Sequence, residues 1–235
     1  MSGRAPNVAE RIYQQLKADI FDFQLLPGDR FSESEIATRM AASRTPVREA
    51  LYRLERDGYV QVHFRSGWQV RPFDFRYFEN LYEVRTLLEV DALRFIAGHA
   101  QRQQLLQPLC DIWCVSADQQ LTQPAEVAVL DEDFHFALLA CRDNQEMAQI
   151  HRDVCERLRI IRRLDFTRDE RISTTYAEHA HILHLLRDGC AAEAIQALSD
   201  HIELSKNTVR TITLHRIQLA KQGYNLNIRV TTAKE

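Results

Sequence analysis

The sequence is poor in the two residues that break regular structure. It holds 7 glycines and 6 prolines in 235 positions, which argues for long helices over a turn-rich β fold. Cysteine is sparse as well: Cys110, Cys114, Cys141, Cys155 and Cys190. An odd number of scattered cysteines, with no secretory leader at Met1-Ser2-Gly3-Arg4, points to reduced thiols in a cytoplasmic protein. Cys110 and Cys114 are spaced i, i+4 and could share a metal, but without a second pair a structural role is the better reading. No apolar run approaches the ~18 residues of a spanning helix, so no membrane partner is expected. Charge of one sign is also missing, with 30 Lys+Arg against 33 Asp+Glu, a net −3. The whole chain therefore lacks a nucleic-acid footprint.

What is present is ample core material, 45% hydrophobic and 27% charged, enough for one large domain or two modest ones. The charge is mildly asymmetric. Residues 1–72 carry 11 Lys+Arg against 9 Asp+Glu, net +2, which leaves −5 for the rest. A small nucleic-acid module joined to a larger acidic domain fits this, without being required by it.

Residues 1–7 read as a loose arm. Val8, Ile12, Leu16 and Ile20 then recur at helical spacing, and that helix stops near Leu25-Leu26-Pro27-Gly28. Ser32 with Glu35 fits a capping box for a short second helix, with Ile36, Ala37 and Met40 on its buried face. A third helix starts within Ser43-Arg44-Thr45-Pro46-Val47-Arg48. Thr45 suits the N-cap and Pro46 the first helical position, where no N–H is needed. Val47, Ala50, Leu51 and Leu54 form its apolar face, and Asp57-Gly58 ends it. Arg44 and Arg48, beside the hydroxyls of Ser43 and Thr45, are free to point outward. Guanidinium forks and small hydroxyls there suit phosphate oxygens and guanine edges. In isolation the same stretch reads at least as well as a surface helix with a solvated arginine edge.

Two short helices with a brief connection, the second bearing exposed basic residues, make a helix-turn-helix. Tyr59 to Phe64 alternates as a strand, Arg65-Ser66-Gly67 turns, and Trp68 to Arg71 returns. Such a hairpin is a wing, whose tip at Arg65 and Gly67 can reach a minor groove. Gly67 is equally explained as a turn glycine with positive φ. Over residues 8–71 the ordered set Leu26-Pro27-Gly28, Ser32-Glu33, Ser43-Arg44-Thr45-Pro46-Val47-Arg48-Glu49-Ala50-Leu51, Gly58 and the wing glycine resembles the GntR family of bacterial winged-helix repressors. The resemblance implies that Ser34, Ser43, Arg44, Thr45, Arg48 and the wing at Arg65 and Gly67 contact double-stranded DNA. Ser34 stands where some members carry arginine.

Pro72-Phe73-Asp74 interrupts the pattern, so the DNA-binding domain is assigned to 8–72. A second domain then spans 73–222, and a polar tail 223–235. Helical periodicity covers roughly 75–98, 102–120, 126–142, 145–165, 170–188 and 191–221, with breaks at Gly98, Pro124, Asp143-Asn144, Arg168-Asp169 and Gly189. Six helices in about 145 residues suggest an antiparallel bundle. The expected fold class is mainly α, an N-terminal winged helix-turn-helix followed by a C-terminal antiparallel all-α bundle.

Chemistry-bearing residues gather in the bundle. Asp131 and His135, at i and i+4, project from one face, and His179 and His201 lie on two later helices. Three imidazoles and a carboxylate from three facing helices would make a borderline metal site with open positions. Each histidine alone reads as well as a satisfied core or surface residue. Asp131-x3-His135, Glu178-His179…Ile182-Leu183, Asp188-Gly189…His201-Ile202 and Tyr82-Glu83-Val84-Arg85…Leu88-Glu89…Ala92 are similar to the C-terminal effector domain, called FCD, of the FadR-type branch of the same family. That resemblance implies one divalent transition metal per chain on Asp131, His135, His179 and His201. Zinc comes first on ligand type and availability, with nickel or manganese as alternatives. It also implies a small carboxylate effector instead of a long acyl-CoA, and a homodimer on a pseudo-palindromic operator.

Arg85 then either anchors an effector carboxylate through its guanidinium fork or pairs with Glu89, four residues on. Arg157, Arg159, Arg162 and Arg163 read as a solvated or dimer-facing stripe, from which one could reach the cavity. His181 and His184 fall on other faces of their helix, and His63, His99, His151 and His215 have no evident partner. The rival reading is an all-α metalloenzyme. Against it, there is no His-Glu-x-x-His, no His-Asp dipeptide, and a winged helix has no job in a hydrolase. The expected function is a ligand-responsive transcriptional regulator, a repressor and not an enzyme.

Overall fold

The computed structural model describes residues 7–22, 24–63, 67–166, 171–211 and 217–219. The chain divides into two compact units, one reaching Asp74 and the other starting at Phe75. The first contains α1 (Val8–Phe21), β1 (Arg30–Phe31), α2 (Glu33–Arg39), α3 (Arg44–Arg56), β2 (Val60–His63) and β3 (Gly67–Val70). Ile12, Leu16 and Ile20 of α1 meet Ile36 of α2, Val47, Ala50, Leu51 and Leu54 of α3, and Val60, Trp68 and Val70 of the sheet in one buried core. Each fully buried leucine there contributes roughly 2 kcal/mol. Val8, the expected first member of the α1 stripe, is exposed. The helix ends at Asp22, ahead of Leu25–Gly28.

The capping box of α2 is formed. The Ser32 N–H donates to the Glu35 carboxylate (2.6 Å), and the Glu35 N–H donates to the Ser32 hydroxyl (3.2 Å). Ile36 is buried, whereas Ala37 and Met40 are only half-buried. Helix α3 begins earlier than the sequence suggests: Ser43 occupies the N-cap without a side-chain cap bond, and Arg44 is the first helical residue. Thr45 is therefore not the cap. Pro46 tolerates the shift because every N–H of a first turn lacks an intrahelical acceptor, so the third position serves proline as well as the first. The C-terminus is as expected, Asp57 followed by Gly58 at φ +87°.

Strand β1 was not legible, being two residues long. It pairs antiparallel with β3 (Arg30 with Gln69, Phe31 with Trp68), giving the order β1-β3-β2. That pairing explains Gly67. Its φ is +88°, and a Cβ there would lie 2.7 Å from the Phe31 carbonyl oxygen.

The second unit contains α4 (Phe75–Gly98), α5 (Arg102–Trp113), a 3-10 turn (Ala117–Gln119), α6 (Pro124–Ala140), α7 (Gln145–Asp165), α8 (Arg171–Arg187) and α9 (Ala191–Thr211). Helix α4 touches all five of the others, and its buried stripe runs Phe78, Leu81, Tyr82, Arg85, Glu89, Ala92, Leu93, Ile96 at helical spacing. Two charged residues thus sit in the seam of the central helix. Pro124, expected as a break, opens α6 as its first residue. Helix α5 stops at Trp113, short of 120, and the 3-10 turn follows. The arm before Asn7, Phe64 of the expected strand, Arg65 and Ser66 of the wing tip, the expected break at Arg168-Asp169, His215, and the tail over 223–235 lie outside the described residues, as do 212–216 and 220–221 of the expected last helix. No helix among the described residues is long and apolar enough to cross a membrane.

Candidate functional site

Asp131 and His135 on α6, His179 on α8 and His201 on α9 converge in the interior of the bundle. Each offers one ligand atom, and those atoms all lie within 4.8 Å of one another. Nε2 of His135 is 3.3 Å from Nε2 of His201. Oδ1 of Asp131 is 3.3 Å from Nε2 of His179, 3.7 Å from that of His135 and 4.0 Å from that of His201. Zinc bonds of about 2.0–2.1 Å at tetrahedral angles place ligand atoms roughly 3.3 Å apart. All four side chains are at most 3% exposed. Asp131 Oδ1 and both ring nitrogens of His179 have no hydrogen-bond partner. Buried polar atoms left that way cost about 1–3 kcal/mol each, so atoms orphaned around a common centre fit a bound cation.

The surroundings hold these groups in ligating form. His179 is stacked on Phe134 (ring centroids 3.7 Å, interplanar angle 11°) and meets the Trp113 ring edge-on at 4.2 Å. Burial in this aromatic slot pushes its pKa well below the usual histidine value. His135 is also lowered, first by burial and then by Arg85. Both imidazoles are consequently neutral, with lone pairs available to a metal. Nδ1 of His135 lies 2.6 Å from Glu89 Oε2, and Nδ1 of His201 lies 2.7 Å from Glu178 Oε2. A carboxylate that accepts a hydrogen bond from Nδ1–H keeps the ring proton on that nitrogen and leaves the Nε2 lone pair for the metal. Burial opposes ionisation of Asp131, yet Arg162, hydrogen-bonded to its other oxygen, and the two adjacent imidazoles hold the carboxyl well below the carboxylate range.

Arg85 resolves the choice posed by the sequence in an unexpected way. Its Nε donates to Glu89 Oε1 at 2.7 Å, so the i, i+4 ion pair exists, fully buried. Its Nη2 nevertheless has no partner. Arg162 corrects the reading of 157–163 as one solvated stripe. Arg157 is exposed and Arg159 is paired at the edge with Glu132 (2.5 Å) and Glu156, but Arg162 is 5% exposed and bound to Asp131. The reason is the buried stripe of α7, where Leu158, Ile161, Arg162 and Asp165 share one face.

His151 is a second correction. It is fully buried, with Nε2 2.8 Å from Glu89 Oε1 and 3.4 Å from the Cys155 thiol. Glu89 thus joins Arg85, His135 and His151. Sequence reasoning named Glu89 only as a partner for Arg85, left open which of the four arginines reaches the interior, and gave His151 no partner. The available signal was a charged residue on an otherwise apolar helical stripe. His181 and His184 are exposed, as expected.

In the first unit Ser34, Ser43, Arg44, Thr45 and Arg48 are all exposed. Arg48 is not free, however. Its Nε and Nη2 donate to Glu33 at 3.0 and 2.8 Å. Those bonds are the largest cause of a Glu33 carboxyl held below its usual pKa. Gly67 opens β3 beside the wing turn. Arg65 is outside the described residues.

A helix-turn-helix with a wing, joined in one chain to an all-helical domain, defines a DNA-binding transcriptional regulator. Residues 8–70 match the bacterial regulatory proteins of the gntR family and residues 80–204 match the FCD domain. The chain belongs to the GntR family, in its FCD-containing form, and is a regulator and not an enzyme. It is 31% identical over 192 residues to the Nta operon transcriptional regulator of Aminobacter aminovorans, covering 80% of this chain and 90% of that protein. It is 29% identical over 214 residues to the transcriptional repressor RspR of Escherichia coli K12, covering 87% and 90%. A GntR regulator of known structure from Rhodococcus sp. RHA1 shares the fold, with a TM-score of 0.61 at 21% identity over 87% of this chain and 98% of that one. Regulators of this family are dimeric, and FCD domains commonly bind metal.

Proposed function

We propose that this regulator is a metal-dependent, effector-responsive repressor acting in the cytoplasm, with a DNA-binding domain over 8–72 and an effector domain over 73–222. Asp131, His135, His179 and His201 hold one divalent transition metal per chain, zinc first on the three-nitrogen, one-oxygen donor set and availability, with nickel or manganese as alternatives. The observation that carries the metal is the pair of orphaned, fully buried atoms, Asp131 Oδ1 and His179 Nε2, 3.3 Å apart. When bound, the metal supplies a Lewis-acidic position for a carboxylate oxygen of a small organic-acid effector. The unpartnered Nη2 of Arg85 supplies an N–H for the same ligand.

Ser34, Ser43, Arg44, Thr45 and Arg48, with Arg65 and Gly67 of the wing, contact a pseudo-palindromic operator, one half-site per protomer of a homodimer. The exposure of the described helix residues supports this. The name of the E. coli relative, a repressor, favours repression over activation. Effector binding alters operator affinity through its differential affinity for two states of the protein.

Elemental analysis of the purified protein tests the reading. It should find about one transition metal per chain, lost from His135→Ala with His201→Ala. Operator titrations of the metal-loaded protein should shift on addition of small carboxylates. A metal-free parent that still answers carboxylates at the operator would overturn the metal's role.

A further inference from the structure

Three buried polar groups beside the proposed ligand set have unspent hydrogen-bonding capacity: Arg85 Nη2, Arg162 Nη1 and the Tyr82 hydroxyl. All three residues are at most 5% exposed. They belong to one neighbourhood. Tyr82 and Arg85 are three residues apart on the buried face of α4, Arg85 and His135 share Glu89, and Arg162 holds the Asp131 carboxylate, 3.7 Å from His135. Burial pushes the Tyr82 phenol up to about 12. Tyr82 is therefore a neutral O–H donor at any physiological pH. Each guanidinium is already committed on one side, Arg85 to Glu89 and Arg162 to Asp131. The uncommitted N–H groups are the ones left for a ligand.

Charge narrows the ligand further. Arg85 cancels Glu89 and Arg162 cancels Asp131, while Arg171 and the protonated His151 together balance Asp165 and Glu178, so a divalent metal at Asp131 leaves two positive charges uncompensated in a buried place. Charges are stable there only when paired. A monocarboxylate answers one of the two and leaves part of the donor set empty.

We propose that the effector is a small dicarboxylate, one carboxylate held by Arg85, Arg162 and Tyr82 and the other directed to the metal position. This rests on the metal-and-carboxylate reading above and narrows it to a dianion. Arg162 and Tyr82 are then specificity-determining residues, since a site built to hydrogen-bond a group discriminates strongly against an analogue lacking it.

Calorimetric titration of the metal-loaded, full-length protein decides it, using acids matched in carbon number: malonate against propionate, succinate against butyrate, glutarate against valerate. At least one dicarboxylate should bind ten-fold or more tightly than its monocarboxylate partner. Tyr82→Phe should cut that ratio severalfold while elemental analysis shows the metal retained, and Arg162→Lys, which keeps the charge facing Asp131, should do the same. Equal affinities within every matched pair would overturn the proposal, as would a preference that both variants leave intact. If no acid of either class binds while the metal is in place, the carboxylate reading itself falls and takes this narrower one with it. Monocarboxylate binding without preference removes the dianion alone.

Discussion

The two units of this protein place charge in opposite ways. In the winged helix the core is wholly apolar, and Ser34, Ser43, Arg44, Thr45 and Arg48 stand outside it. In the bundle the centre itself is charged: Arg85, Glu89, Asp131, His135, His151, Arg162, His179 and His201 are all at most 5% exposed. The difference follows from what each unit must meet. A phosphate backbone is a large external anion, read by exposed donors whose cost in stability is small. A small ligand taken into the interior must find its partners already desolvated and aimed, which the fold maintains only by pairing every charge it buries.

The largest effect should come from breaking a buried pair. Asp131→Ala leaves Arg162 desolvated without its carboxylate, and removing one partner of a buried ion pair costs about 3–5 kcal/mol. Denaturant unfolding followed by circular dichroism should show that loss, alongside loss of metal. If the variant unfolds within 1 kcal/mol of the parent, the bundle's charges are not held as described. The contrast between the units would then disappear.

A pH titration sharpens the same contrast without mutation. Burial alone would depress His151, but its hydrogen bonds to Cys155 and Glu89 outweigh it and raise its pKa to about 9, from an ordinary 6.5. A group whose folded pKa is raised stabilises the protein fully below pH 6.5. That contribution falls between 6.5 and 9 and is absent above 9. The size is roughly 3 kcal/mol. Melting temperature should decline across that window in the parent and lose that component in His151→Gln. Identical profiles for the two proteins would show that His151 is uncharged in the folded state.

On the exposed side, Arg44→Ala should weaken operator binding by about ten-fold with unfolding and metal content unchanged. A salt-controlled titration that finds no weakening would remove Arg44 from the DNA face.

How much of each unit could be read in advance follows from the same difference. The winged helix is encoded locally. Capping box, apolar stripe and wing glycine each occupy a few consecutive residues, and nearly every element was legible, the exception being β1, too short to alternate. The bounds of α4 and α7 could also be read, because periodicity is local. The centre they surround could not be read from spacing. His179 and His201 lie 44 and 66 residues beyond His135, and only packing of α8 and α9 against α6 and α4 decides that they meet. The family resemblance suggested the four. It included Glu89 without joining it to the histidines and was silent on His151 and Arg162, because those roles depend on which helix faces which.

The smallest expected effect lies within the winged helix, at Glu33. This carboxylate restrains Arg48 through hydrogen bonds from its Nε and Nη2 at the protein surface. The pair is largely exposed on the arginine side, 57% of that side chain, and solvent and salt screen it. Glu33→Gln removes a negative charge from the face proposed to meet phosphate and releases a guanidinium, leaving the buried core untouched. Affinity for DNA of any sequence should rise a few-fold at low salt, and the gain should shrink as salt is added. A fall in operator affinity, greatest for the correct sequence, would mean instead that Glu33 aims Arg48 at its base, so that even this exposed pair is built for position in the way the buried ones are.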